Sequence, residues 1–162
     1  MTEEKRLKVL LDLQKSLRED MKYKVEIADV NGDKMLRCLA PLFEDDKGYV
    51  LIEICELDYD ENFELFQIYS TLIMEPGQGL DELRKTVNVW NLTSTLGAYG
   101  IYEAMGQLFH KYNVVVGVDD DVDMVVGQVF AALYTAMNEM GSKLAEAINI
   151  SNGKMSFADI SK

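Results

Sequence analysis

The sequence predicts an α+β fold: a mainly antiparallel sheet with N-terminal, middle and long C-terminal helices. One observation is the order of hydrophobic periods, which runs helix, four strand-like stretches, helix, two strand-like stretches and a long helix. The other is that the first four strand-like stretches are joined by short polar turns, which is typical of an antiparallel meander. We predict a single domain over residues 1–150 and a flexible tail over 151–162.

The N-terminal half is predicted to form one helix and a four-stranded meander. Apolar residues recur at helical spacing from Leu7 to Leu17, which predicts an amphipathic helix over residues 3–19. Alternation then replaces this period, and Asn31-Gly32 supplies the positive φ angles of a tight hairpin turn. The predicted strands begin at Tyr23 and then cover 35–43, 49–57 and 63–74, with polar turns at 44–48 and 58–62.

Apolar side chains lie on both faces of several predicted strands. In the third strand Val50 and Ile52 share one face, while Leu51 and Cys55 share the other. A strand of this type is normally covered on both sides, so we expect helices or a second subunit on each face of the sheet. Cys38 and Cys55 are then expected to be reduced thiols in neighbouring strands, which is typical of a cytoplasmic protein.

The C-terminal half is predicted to add a middle helix, two strands and a long final helix. Pro76 ends the fourth strand, and a helical period follows over residues 78–94. An extended stretch lies between Gly97 and Gly106, and a β-branched strand covers 108–118. The final helix begins near Val122 and keeps its apolar spacing over about seven turns, to residue 148.

The apolar stripe of the final helix is wider than one side of a small sheet usually covers. We therefore predict a homodimer with this helix at or near the contact. The alternative is that the monomer's own sheet buries the whole stripe. The candidate interface residues are Val126, Phe130, Leu133 and Met137.

The charge balance restricts the class of partner. The formal net charge is −12, from 28 acidic and 16 basic residues. Phosphate backbones need clustered Lys and Arg, and anionic membrane surfaces repel an acidic chain, so we expect neither nucleic acid nor membrane as a partner. The acidity favours a basic protein segment.

Two carboxylate clusters are candidates for metal binding. Asp119, Asp120, Asp121 and Asp123 lie where the final helix begins, and acids there accept free backbone N–H groups. The stretch from Asp29 resembles the start of a calcium loop, but the positions for its glycine and its glutamate hold Lys34 and Ala40. We predict a helix N-terminus and a hairpin turn, and no metal or other cofactor.

The sequence contains few candidate catalytic residues. His110 is the one histidine, and no local serine or cysteine motif accompanies it. The flanks of both cysteines are apolar, which does not favour a thiolate. We predict no catalytic residue; the alternative is a small enzyme or ligand-binding domain with a site around His110, Tyr99 and Tyr102.

In the middle helix two asparagines three apart, Asn88 and Asn91, are followed by an extended segment with Tyr99 and Tyr102. In this motif the chain resembles the YbjN-type family, which shares the fold of type III secretion chaperones. The resemblance covers the element order over residues 3–148. It implies an α+β sandwich, frequent dimers, no cofactor, and roles in binding or regulation. The asparagines themselves either bond to nearby backbone and end the helix or contact a ligand.

Together these observations predict a non-enzymatic protein-binding module, chaperone-like or a regulatory adaptor. A sheet edge is suited to accept an added strand from a partner, and an acidic surface favours a basic or extended segment.

Overall fold

The computed structural model describes residues 1–43 and 48–160 and confirms the α+β fold with an antiparallel sheet. The predicted turn at 44–48 lies outside the described residues except for Gly48. The helices are α1 (Glu3–Glu19), α2 (Leu80–Thr93), α3 (Val122–Ser151) and the short α4 (Phe157–Ile160). The strands are β1 (Lys24–Val30), β2 (Asp33–Pro41), β3 (Tyr49–Asp58), β4 (Phe63–Ile73), β5 (Ala98–Tyr102) and β6 (Gln107–Gly117).

The six strands form one sheet in the order β1-β2-β3-β4-β6-β5, and every neighbouring pair is antiparallel. β1 to β4 form the predicted meander, and the β1–β2 turn is the predicted Asn31-Gly32 hairpin, with φ of 57° and 97°. After β4 the chain passes through α2 and returns at the far edge as β5. β6 then fills the place between β4 and β5.

All three long helices cover the same face of the sheet, which we call the inner face. α1 contacts β1 and β2, α3 contacts β4 and β6, and α2 contacts β5 and α3. Inward-pointing strand residues such as Leu36, Ile52 and Phe66 are fully buried there. Of the two expected covers, helices lie on the inner face only, and a second subunit on the other face stays a prediction. Alternation along each strand predicts two apolar faces, but it does not show on which face a helix packs.

Short stretches depart from the predicted bounds. The middle helix was predicted over 78–94, but a 3-10 turn (Gly77–Gly79) comes first and α2 begins at Leu80. Gly77 has a φ of +56°, a left-handed conformation that an α-helix does not contain. α3 continues to Ser151, three residues beyond the predicted end.

The segment after α3 follows the surface of the domain. The backbone N–H of Phe157 donates to Glu82 Oε2 on α2 at 2.8 Å, and Met155 and Ile160 pack partly buried against the core. The predicted flexibility of residues 151–162 stays a prediction, and 161–162 lie outside the described residues.

Candidate protein-binding surfaces

The two edges of the sheet differ in which of their outward backbone groups are hydrogen-bonded. β5 forms one edge, and Asn91 of α2 lies against its backbone. The Asn91 side chain accepts from the Tyr99 N–H at 2.7 Å and donates to the Tyr99 carbonyl at 2.9 Å. One carboxamide thus makes both hydrogen bonds that a neighbouring strand would make to Tyr99, the second residue of β5, and so blocks this edge there.

The two asparagines of the candidate family motif therefore have different roles. Asn91 holds β5 against α2, whereas Asn88 is exposed and only donates to the Arg84 carbonyl one turn earlier, at 3.3 Å. A structural role was the favoured interpretation of both residues. The sequence did not show that the partner of Asn91 lies on the next strand, because that contact depends on how the β5 edge meets α2.

β1 forms the other edge, and its outward backbone groups can be identified from the hairpin. A two-residue turn makes Val30 and Asp33 a hydrogen-bonded pair, so alternate residues along β1 also bond to β2. The backbone groups of Val25, Ile27 and Asp29 then point away from the sheet. Arg18 Nη2 donates to the Val25 carbonyl at 2.7 Å, which covers one of these groups.

A depression of about 250 Å³ lies beside this edge. Its lining includes Lys24 and Glu26 from β1, Arg37 and Leu39 from β2, and Leu51 from β3. Charged side chains on an edge strand oppose non-specific pairing with strands of other chains, and β1 carries Lys24 and Glu26 at this edge. The edge and the depression together can take the backbone and one side chain of an extended segment.

The face of the sheet opposite the helices, which we call the outer face, is a second candidate surface, because no helix of the described residues packs on it. Strand alternation places on it Lys24, Glu26, Arg37, Leu39, Leu51, Glu53, Cys55, Leu57, Phe63, Leu65, Tyr69, Tyr102, Phe109, Lys111 and Val115. Tyr69 and Phe109 stack there with ring centroids 5.0 Å apart. Several of its large apolar side chains are exposed, in contrast to the closely packed inner face.

The candidate interface residues of the final helix lie mainly toward the protein's own core. Leu133 is 0% and Met137 is 6% exposed. Val126 and Phe130 are partly buried and pack against the same core. The sheet and α1 therefore bury much of the stripe on α3, which is the alternative that the sequence left open.

His110 is buried on the inner face rather than placed in a cleft. Its ring is 1% exposed, and Nε2 lies 2.6 Å from the Leu96 carbonyl oxygen. Because a carbonyl only accepts, Nε2 carries the proton and Nδ1 is left as an acceptor, with no partner among the described residues. Burial lowers the pKa of His110, so the ring is held neutral.

A buried aromatic and polar cluster surrounds His110. The Tyr99 ring lies 4.9 Å from the imidazole and 5.4 Å from Trp90. Trp90 Nε1 donates to Glu146 Oε2 on α3 at 2.6 Å. Ser70 is the cross-strand neighbour of His110, and its buried hydroxyl has no partner among the described residues. Burial raises the pKa of Tyr99, which keeps its hydroxyl protonated.

The alternative site around His110, Tyr99 and Tyr102 is only partly brought together. Tyr99 and His110 are in contact, but Tyr102 lies on the outer face and is 50% exposed. Sequence reasoning missed Ser70 as a neighbour of His110 and Trp90 as a neighbour of Tyr99. The available signal was a serine at an inward position of β4, two residues after Ile68. His110 and Ser70 are both buried, and this cluster links β4, β5, β6, α2 and α3.

Other candidate residues have local structural roles. Asp121 caps α3 by accepting from the Met124 N–H at 2.9 Å, as predicted for this cluster. Cys38 and Cys55 are free thiols on neighbouring strands, and burial raises the pKa of Cys38 to about 12. Within residues 1–43 and 48–160 no three His, Cys, Asp or Glu side chains are grouped to hold a metal ion. No helix of this described part has the length and apolarity to cross a bilayer.

Glu56 belongs to a group of charges at the start of α1. Its side chain is 12% exposed and lies 3.1 Å from Arg6 Nε, and Arg6 also binds Asp58 and the buried Glu64. Burial raises the pKa of Glu56 to about 7, although Arg6 opposes the shift. The folded state therefore binds a proton here that the unfolded chain has released, at pH values between about 4.5 and 7.

We expect Glu56 to make the protein less stable as the pH rises from 5 to 8. A raised pKa in the folded state gives stability that is present below the unfolded pKa and is lost as pH rises through the folded pKa. Glu56→Gln removes this loss, so its stability relative to wild type should increase with pH. Urea unfolding of both proteins at each pH measures the difference, in which the opposite contribution of His110 cancels. A difference that stays constant across this range would contradict the expectation.

The chain matches no protein-family model and no curated protein sequence.

Proposed function

We propose that the chain is a non-enzymatic protein-binding module, a chaperone-like protein or regulatory adaptor, that binds an extended segment of a partner protein along the β1 edge. The observation that carries the proposal is the contrast between the two edges. Asn91 closes the β5 edge with two hydrogen bonds, whereas β1 presents outward backbone groups beside a depression. An added strand would gain main-chain hydrogen bonds from the edge and side-chain selectivity from the depression.

The charge of the protein supports a basic segment as the partner. A net charge of −12 attracts a positively charged chain over a distance and raises its rate of association. The buried position of His110 and Ser70 supports binding over catalysis, because a substrate needs access to reacting groups.

The test removes one backbone donor from the edge while keeping the fold. Ile27→Pro deletes an outward N–H, and proline is tolerated at such edge positions. Ile27→Ala is the matched control, because it loses the same packing but keeps the N–H. Each protein is used to capture partners from a native cell extract, with identification by mass spectrometry. We expect wild type and Ile27→Ala to retain the same partner and Ile27→Pro to lose it.

Hydrogen exchange on the captured complex locates the contact. We expect the partner to slow exchange of the Ile27 and Asp29 amides, which point outward, and to leave β5 unchanged. A partner that is retained by Ile27→Pro, or that protects β5 instead of β1, would show that strand addition at β1 is wrong. Circular dichroism melts of both variants verify that each remains folded.

A further inference from the structure

Apolar side chains of neighbouring strands form a contiguous cluster on the outer face. Leu57 pairs with Leu65 in the β3–β4 register, and Leu65 pairs with Val115 in the β4–β6 register. These three side chains therefore lie side by side, and Val115 is 58% exposed. Leu39 and Leu51 form a similar pair on β2 and β3. Contiguous apolar surface of this kind is uncommon on a monomer without a binding role.

The charge of the outer face differs from that of the rest of the protein. It carries three basic side chains (Lys24, Arg37, Lys111) and three acidic ones (Glu26, Asp33, Glu53), a net charge of zero. The whole chain carries −12, so the acidic excess lies on the other surfaces. Arg37 Nε also pairs with Glu53 at 2.9 Å within the face itself. Two copies that meet through this face avoid the repulsion between their acidic surfaces.

The size of the face is suited to a stable dimer. Six strands at a spacing of about 4.8 Å span roughly 24 Å, and their length at about 3.3 Å per residue gives an area on the order of 700 Å². A specific interface buries about 800 Å² on each partner. A two-fold axis brings the same surface of both copies together, so a single nearly neutral apolar face is enough to form a dimer interface.

We propose that a second copy of this chain packs its outer face against the outer face of the first. The contact differs from the predicted one at the final helix, where Leu133 and Met137 are already buried in the monomer. The apolar cluster of this face suits a second copy better than a basic partner segment, because the net charge of the face is not acidic. The outward backbone of β1 points along the plane of the sheet and stays free in a face-to-face dimer, whereas the depression beside β1 is lined by outer-face side chains and is shared by the two proposals.

The mass of the protein in solution tests the proposal with two surface variants. Val115→Glu places a charge within the apolar cluster of Leu57, Leu65 and Val115 on the outer face, and Tyr134→Glu places the same charge on α3, at a side chain that is also exposed. Sedimentation equilibrium at micromolar concentrations measures the dimer constant of each, and thermal melts verify that both stay folded. We expect wild type and Tyr134→Glu to be dimers. The dimer dissociation constant of Val115→Glu should be at least about 100-fold larger than that of wild type, because the symmetric interface contains the added charge twice.

Each other outcome overturns the proposal. A wild-type monomer across the concentration range would show that no second copy occupies the face. A dimer that survives Val115→Glu but is lost in Tyr134→Glu would place the contact on α3. Ile27→Pro, which tests the β1 edge, should leave the dimer constant unchanged, so failure of strand addition and failure of the dimer are distinguishable.

Discussion

Gly97→Ala should destabilise the protein by more than about 3 kcal/mol. Gly97 has a φ of +76°, a left-handed conformation that a Cβ disfavours. An added Cβ would also lie 2.4 Å from the Lys111 carbonyl oxygen and 2.9 Å from His110 Nε2. Because this oxygen belongs to the backbone of β6, the steric clash can be relieved only if β6 moves or if the loop that binds His110 through the Leu96 carbonyl moves. Urea unfolding measures the change in the free energy of unfolding.

Gly127→Ala is the control for the same chemical change. Gly127 lies within α3, and a Cβ there would meet no atom within 4 Å. Alanine is a better helix former than glycine by about 1 kcal/mol, so this variant should be as stable as wild type or slightly more stable. If Gly97→Ala also proved neutral, the close approach of the 94–97 loop to β6 would be wrong.

Leu133→Ala is expected to cost about 2–5 kcal/mol, with no dependence on protein concentration. Leu133 is 0% exposed within one chain, so its removal leaves a cavity between α3 and the inner face. Gln128→Ala, at an exposed position of the same helix, is the control and should change stability by less than about 0.5 kcal/mol. Chemical unfolding at several protein concentrations measures both effects.

The outcome for Leu133 separates the two interpretations of the wide apolar stripe. A small cost at low concentration, together with a loss of dimer at high concentration, would show that the side chain serves an interface. A large cost that is the same at every concentration would show that it belongs to the core of the monomer, as its burial indicates.

The parts of this fold that the sequence predicts are those that local physics determines. The helix over residues 3–19 and the hairpin at Asn31-Gly32 follow from an apolar period and a turn preference, and both have the predicted bounds. The strands of the meander are within a few residues of their predicted ends, because turns of polar residues separate them.

The parts that could not be predicted depend on contacts between distant residues. β5 lies outside β6 at the sheet edge, so the extended stretch after α2 pairs with the following strand and not with β4. The same long-range order brings Ser70 beside His110 and Trp90 beside Glu146, pairs that no local pattern connects. The one-sided packing of the helices likewise depends on the connections, since both faces of β3 are apolar.

The two hydrogen bonds of Asn91 have a consequence for the number of partners that one sheet can take. A sheet with two free edges adds a strand at each end, and identical chains can then join without limit into a fibre. With the Tyr99 backbone on the β5 edge occupied by a single carboxamide, the strand addition proposed at β1 would end after one partner. On this proposal Asn91 limits the number of strands that the sheet can add to one, and its loss would leave two edges at which chains can join.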